Sequence, residues 1–243
     1  MERVITSWYS PCLEKDMPVA IYGHYGFALL LVPTAAADFL EYERFGLIDT
    51  IQPFIDQGKL KVFSVDSINR ESWMDYGADP RHKTYKHKQW NYYVYNELIP
   101  FVKNQTNDST PIIVAGASFG ALHSANLFFK RPDLLNGCIC MSGVYDLTEY
   151  TRGYFDDDVY FNSPMHYLPN LTDHETLEQI RRSRHIYLFS GSGDYEDPDS
   201  ARRFANILYS KGINYELDIW GGEWRHDWNT WRVMLPHYLG SRL

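Results

Sequence analysis

Ile112-Ile113-Val114-Ala115-Gly116-Ala117-Ser118-Phe119-Gly120-Ala121-Leu122 decides the architecture. A β-branched run ends at Gly116 and a helix-prone stretch begins after Gly120. Ser118 therefore falls on a turn from strand into helix, with glycines two residues before and two after it. A side chain at either glycine would collide with neighbouring backbone in so tight a turn. The helix that follows aims its first N–H groups and positive dipole at the serine, where an oxyanion would form. An ordinary helix-capping serine would account for the helix start but not for both glycines.

Working outward, short apolar runs alternate with helical patterns. Strands are expected at 4–9, 19–22, 28–32, 60–65, 112–115, 137–141, 186–190 and 215–219. Helices are expected at 41–57, 85–103, 118–130, 200–211 and 227–239. The alternation predicts an α/β fold, with a mostly parallel central sheet of about eight strands and helices on both faces. The first three strands follow one another closely, so that edge should be antiparallel or mixed. No repeat or low-complexity linker interrupts the chain, and 1–243 reads as one domain. The irregular stretch 145–171, rich in Tyr, Asp, Asn and Pro, reads as a small lid-like insertion of loop and short helix over the site.

A serine hydroxyl needs a base to take its proton, and at a turn of this kind acid and base follow later in the chain, acid first. His226, in Trp220-Gly221-Gly222-Glu223-Trp224-Arg225-His226-Asp227-Trp228, follows the last strand and leads into the last helix, the place expected of the base. The acid should follow strand 186–190, where the chain reads Gly191-Ser192-Gly193-Asp194-Tyr195-Glu196-Asp197-Pro198-Asp199. Asp194, straight after the glycine turn, is the first choice for holding the imidazole tautomer. Glu196, Asp197 and Asp199 compete, and Asp197 or Asp199 fits equally as a helix cap. For the oxyanion hole the backbone N–H of Phe119 is the first donor. The second comes from Pro33-Thr34-Ala35-Ala36, where Thr34 is chosen and Ala35 stands next; Pro33 has no N–H.

Composition narrows the alternatives. Hydrophobic residues make up 44% and charged residues 22%, which suits a soluble globular chain. The net charge is -8 without any Lys/Arg-rich run, which argues against nucleic acid or an anionic membrane as partner. The start of the chain lacks the apolar run of a signal peptide, and Cys12, Cys138 and Cys140 read as free thiols. A cytoplasmic location is the expectation. No cofactor and no metal are expected: the lysines of His82-Lys83-Thr84-Tyr85-Lys86-His87 would repel a cation, and no phosphate-binding loop motif occurs. A homo-oligomer is compatible with the sequence. Tyr145, Tyr154, Trp224 and Trp228 are candidates for the substrate side of the site, with packing the competing role for each.

With these residues in view, the chain resembles the putative-esterase branch of the α/β-hydrolases, which includes esterase D-like and feruloyl-esterase-like enzymes and mycolyltransferases. Gly116–Gly120, Ser142-Gly143-Val144-Tyr145-Asp146, Asn162-Ser163-Pro164, Gly191–Asp194, His226-Asp227-Trp228 and Met234-Leu235-Pro236 carry the resemblance over nearly the whole chain. It implies an α/β-hydrolase fold and a metal-free carboxylic ester hydrolase using Ser118, Asp194 and His226, with a small or medium acyl ester as substrate. Where many relatives carry His-Gly or Gly-rich residues in the first oxyanion loop, this chain has Pro33-Thr34-Ala35-Ala36. The same triad could serve acyl transfer to an alcohol, and the same fold could serve as a non-catalytic binding module.

Overall fold

In a computed structural model describing residues 1–243, the decisive stretch forms a strand, Ile112–Ala117, buried along its whole length. A strand covered on both faces can be apolar at every position, and this one is central. The eight strands are β1 (Arg3–Ser10), β2 (Lys15–Tyr22), β3 (Phe27–Val32), β4 (Leu60–Val65), β5 (Ile112–Ala117), β6 (Gly137–Met141), β7 (His185–Ser190) and β8 (Glu216–Ile219). They form one sheet in the order β1-β2-β4-β3-β5-β6-β7-β8. The β1–β2 and β2–β4 pairings are antiparallel; from β4 through β3 to β8 every pairing is parallel. This is the α/β-hydrolase-like fold that the sequence predicts, with a mixed edge formed by its first two strands.

The helices are α1 (Glu41–Arg44), α2 (Leu47–Asp56), α3 (Pro80–Tyr93), α4 (Ile99–Gln105), α5 (Phe119–Lys130), α6 (Asp157–Tyr160), α7 (Pro164–Asn170), α8 (His174–Arg182), α9 (Pro198–Ser210) and α10 (Trp228–Arg242). Alternate residues of β5 serve opposite cores. Ile112 and Val114 pack with Trp90 of α3, Phe128 of α5 and Phe204 of α9 in one apolar cluster. Ile113, Ala115 and Ala117 belong to the other, with Ile51 of α2 and Met234 and Leu235 of α10. Cys138 and Cys140 face the first of these cores as free, buried thiols.

The single helix expected at 41–57 is broken, because Gly46 adopts φ 71° and separates α1 from α2. The helix expected at 85–103 starts earlier, at Pro80, where the Asp79 carboxylate caps the Arg81 N–H. It passes through a π-helical turn, Val94–Leu98, just before Pro100, which has no N–H for a continuous ladder. Helix α8 is an addition to the sequence reading; Asp173 caps it through the Thr176 N–H. The 145–171 stretch holds a 3-10 turn at Thr148–Tyr150 together with α6 and α7. No helix is long and apolar enough to cross a membrane.

Two close approaches lock β5 to its surroundings. A Cβ on Gly116 would lie 2.4 Å from the Gly120 carbonyl carbon, and one on Gly120 would lie 2.4 Å from the Val32 oxygen. The first turn of α5 thus rests directly on the ends of β3 and β5. The buried Tyr42 hydroxyl donates to the Val32 oxygen at 2.8 Å and accepts from the Ala117 N–H at 3.1 Å, joining the same two strand ends. Tyr42→Phe should leave both backbone groups unpaired in a buried place and cost about 1–3 kcal/mol. Urea unfolding should register this as a lower midpoint at unchanged slope; an unchanged midpoint would show that the hydroxyl bridge contributes nothing.

Candidate active site

Ser118 sits between β5 and α5 with φ 55° and ψ −121°, a conformation that L-residues rarely adopt. Its N–H donates to the Met141 oxygen at 2.9 Å, pinning the turn to the end of β6. The side chain is thereby presented at the carboxyl end of the sheet, the edge where open parallel sheets place their sites. The Phe119 N–H beside it opens α5, where an amide has no carbonyl of its own helix to bond.

His226 comes from the loop between β8 and α10. Asp227 caps α10 through the Thr230 N–H at 3.0 Å, and His226 is the residue just before that cap. The His226 Nε2 lies 2.9 Å from the Ser118 Oγ, and its Nδ1 lies 3.3 Å from Glu196 Oε2. A carboxylate can only accept, so Nδ1 carries the proton and Nε2 is left as acceptor for the serine O–H. The Trp231 ring stands edge-on to the imidazole at 5.1 Å and limits its rotation.

The carboxylate facing His226 is that of Glu196, whose side chain is 1% exposed. Asp194, the first choice from sequence, points away: its carboxylate is 63% exposed and lies 3.4 Å from the Arg225 Nε. Only its backbone reaches the base, the Asp194 carbonyl accepting the His226 N–H at 3.0 Å. The turn continues past the glycines, and Tyr195 at φ 65° reverses the chain, so the residue two beyond Asp194 enters the interior. Glu196, weighed in the sequence as a competitor, occupies that place. Asp197 caps α9 through the Ser200 N–H.

Four donors hold the Glu196 carboxylate. Ser142 Oγ donates to Oε1 at 2.6 Å and the Gly191 N–H to Oε1 at 3.2 Å; Ser190 Oγ reaches Oε2 at 3.2 Å, beside the His226 Nδ1–H. Ser142 itself sits at φ 49° and accepts from the Trp231 Nε1–H at 2.9 Å. Burial works to raise the Glu196 pKa, but the hydrogen bonds from His226 and Ser142, the nearby imidazole and the Gly191 N–H outweigh it. The net result is a carboxyl held below the usual glutamate range.

The oxyanion loop also differs from expectation at one amide. The Thr34 N–H is taken by Glu41 Oε2 at 2.8 Å and the Thr34 hydroxyl donates to Glu41 Oε1 at 2.6 Å. Sequence could not show this, because Glu41 reaches back seven residues from α1. The loop carbonyls are tied to the segment after β4: Asn69 Nδ2 donates to the Thr34 oxygen at 3.3 Å, Arg70 Nε to the Ala36 oxygen at 2.7 Å and Ser67 Oγ to the Ala37 oxygen at 3.1 Å. In a trans peptide the N–H points opposite to the carbonyl, so the Ala35 N–H faces away from Asn69. Ala35 packs against the apolar cluster of Trp73, Phe119, Leu122, Leu147 and Val159, on the side where the nucleophile's helix begins.

The aromatic candidates divide. Tyr145 is buried and stacked on Phe204 at 4.3 Å, so it belongs to the core. Trp224 packs edge-on against Trp220 at 4.7 Å, and its carbonyl accepts the Gly193 N–H at 2.8 Å; it braces the acid and base loops against each other. Trp228 lies flat on Phe45 at 4.6 Å and edge-on to Trp231 at 5.1 Å, one ring removed from His226. Tyr154 donates to Asp156 at 2.6 Å within the 145–171 stretch. No group of three or more His, Cys, Asp or Glu side chains is arranged to hold a metal ion.

The arrangement can activate a hydroxyl by proton removal and stabilise the imidazolium that results. The family profile described as "Putative esterase" matches residues 49–241. No relative is found among curated proteins. Among solved structures, a ferulic acid esterase superposes with a TM-score of 0.72 at 17% identity, covering 97% of this chain and 95% of that one. An S-formylglutathione hydrolase from Agrobacterium tumefaciens gives 0.74 at 12% identity, with 98% and 93% covered. The fluorophosphonate-binding serine hydrolase F of Staphylococcus aureus gives 0.66 at 13% identity, with 99% and 97% covered.

The lowered pKa of Glu196 has a consequence for stability. Its folded value lies below its unfolded one, so the ionised form contributes stability above the unfolded value, about 4.3, and that contribution disappears as pH falls through the folded value. The stability difference between the wild type and Glu196→Gln should therefore be constant near neutrality and shrink in acid, as followed by urea unfolding from pH 7 downward. A difference that holds steady to pH 3 would contradict the depressed pKa.

Proposed function

Because the chain belongs to the putative esterase family, whose activity is carboxylic ester hydrolysis, we propose that it turns over small or medium acyl esters through an acyl-enzyme on Ser118. The observation that carries this reading is the single chain of contacts from Ser118 Oγ to His226 Nε2 at 2.9 Å and from His226 Nδ1 to buried Glu196 at 3.3 Å. Ser118 attacks the ester carbonyl as His226 takes its proton. The resulting imidazolium faces the Glu196 carboxylate, which holds the ring in place without accepting the proton. His226 then returns the proton to the departing alcohol. Water, deprotonated by the same imidazole, releases the acid and frees the serine. The N–H groups of Phe119 and Ala35 stabilise the oxyanion at each tetrahedral stage. Ala35 takes the role first given to Thr34, since the Thr34 amide is already engaged by Glu41. Three free cysteines, two of them buried, fit the cytoplasmic location expected from sequence.

A fluorophosphonate probe asks only whether one serine is activated and needs no choice of ester. Intact-mass analysis with peptide mapping should find one adduct, on Ser118, that is lost in Ser118→Ala and His226→Ala. Well-folded protein that takes up no probe would overturn the reading. The acid is tested separately: Glu196→Gln should lower kcat by about a hundredfold or more, whereas Asp194→Asn should stay within about twofold of wild type, since an exposed carboxylate is a weak contributor. The opposite ranking of these two variants would return the acid role to Asp194.

A further inference from the structure

Thr34 is clamped from two sides. Glu41 takes its N–H and its hydroxyl, and its carbonyl accepts from Asn69 Nδ2 at 3.3 Å, the one hydrogen bond that reaches this oxygen. Glu41 therefore fixes the peptide before Thr34, and Asn69 fixes the peptide after it, whose N–H belongs to Ala35. The Ala35 N–H donates to no group of the protein, and Ala35 is half-buried rather than sealed in. This loop begins against the nucleophile turn. Val32 pairs with Gly116, and a Cβ on Gly120 would lie 2.4 Å from the Val32 oxygen and 2.7 Å from the Pro33 oxygen.

A carbonyl can only accept, so the Asn69 atom facing Thr34 has to be Nδ2. Its Oδ1 then faces His123 Nε2 at 2.9 Å, and that nitrogen must carry the proton of the ring. Burial pushes the His123 pKa down to about 3, so the ring is neutral near pH 7 and has a single N–H to give. Asn69 receives it, and Nδ1 is left without a partner. The ring is gripped by His87 at 4.8 Å, Trp90 at 4.8 Å and Phe119 at 5.1 Å, centroid to centroid. His87 is fixed in turn by the Trp73 indole, which donates to its Nδ1 at 3.0 Å. Asn69 is fully buried and His123 is 1% exposed. Apolar side chains would fill such a space without the loss of hydration that an amide and an imidazole suffer. What the polar pair adds is direction, with a donor on one side of the Asn69 amide and an acceptor on the other. Resting on the esterase reading above, with Ala35 as an oxyanion donor, we infer that His123 and Asn69 are positioning residues: His123 sets the orientation of the Asn69 amide, and Asn69 sets that of the Ala35 N–H.

The reaction and a transition-state mimic test this together. Ser118 Oγ adds to the carbonyl of a trifluoromethyl ketone, His226 keeps the proton, and the carbonyl oxygen becomes an oxyanion where that of the ester would form. The methyl ketone of the same length serves as the comparator that forms no adduct. Asn69→Asp keeps the shape and turns an acceptor towards the Thr34 carbonyl. It should lower kcat on 4-nitrophenyl butyrate about tenfold or more, with KM within about threefold, and weaken the trifluoromethyl ketone by a similar factor but not the methyl ketone. His123→Phe keeps a ring without the N–H and should move the same quantities the same way. His123→Gln, whose amide N–H can stand in for Nε2–H, should recover most of that loss. An unchanged kcat in Asn69→Asp, or equal weakening of both ketones, would overturn the assignment. If Asn69→Asp does not fold, the His123 pair decides: recovery by Gln supports the assignment and equal loss in Phe and Gln overturns it. Failure of the esterase reading looks different, because the wild type itself then takes up no fluorophosphonate at Ser118 and binds both ketones alike. Should Ser118 take the probe while the ester resists, the rate of labelling serves instead, since the P=O oxygen occupies the same place. Labelling slowed about tenfold or more in Asn69→Asp supports the assignment, and an equal rate overturns it.

Discussion

A carboxylate buried to 1% exposure has to find its hydrogen bonds inside the protein, and the Glu196 side chain draws them from four places at once. Ser142 lies just past β6, Ser190 ends β7, Gly191 begins the turn that follows, and His226 comes from the loop before α10. Of these four donors only Ser190 and Gly191 are neighbours in the chain. The charge therefore makes the ends of β6 and β7 and the start of α10 depend on one another. Trp231 closes the circle, since its indole donates to Ser142 while its ring limits the imidazole. An imidazole that carries a proton on Nδ1 because a carboxylate demands it has only Nε2 to offer the serine. The orientation of the imidazole and the joining of these strand ends rest on the same ionised group.

The other half of the site is organised by backbone carbonyls. Segment 67–70 ties up the carbonyls of Thr34, Ala36 and Ala37, and Glu41 ties up the Thr34 amide. Of the early amides in that loop, this leaves the Ala35 N–H turned the opposite way. Asn69 is in turn held by the buried His123 of α5, 2.9 Å from its Oδ1. The 33–37 loop and α5, which begins just after Ser118, are thus fastened to one amide side chain. The alanines of this loop owe their orientation to carbonyls that are anchored from outside.

Sequence alone was sufficient for the sheet and for the places of Ser118 and His226 in it. Each is encoded locally: a β-branched run buried on both faces, glycines two residues either side of Ser118, and a histidine between the last strand and the last helix. Short-range sterics and hydrophobic burial set these features, and both can be read over a window of ten residues. Which carboxylate faces His226, which amide of the 33–36 loop Glu41 engages and where Tyr145 packs were decided only in three dimensions. Asp194 and Glu196 stand two apart, and the positive φ of Tyr195 determines which of them turns inward. Thr34 and Ala35 are adjacent, and a carboxylate from α1 determines which amide stays free. Tyr145 is claimed by the Phe204 ring of α9, nearly sixty residues away. In each case the deciding partner is distant in the chain, because burying a polar group or an aromatic ring is settled by what the completed fold places beside it.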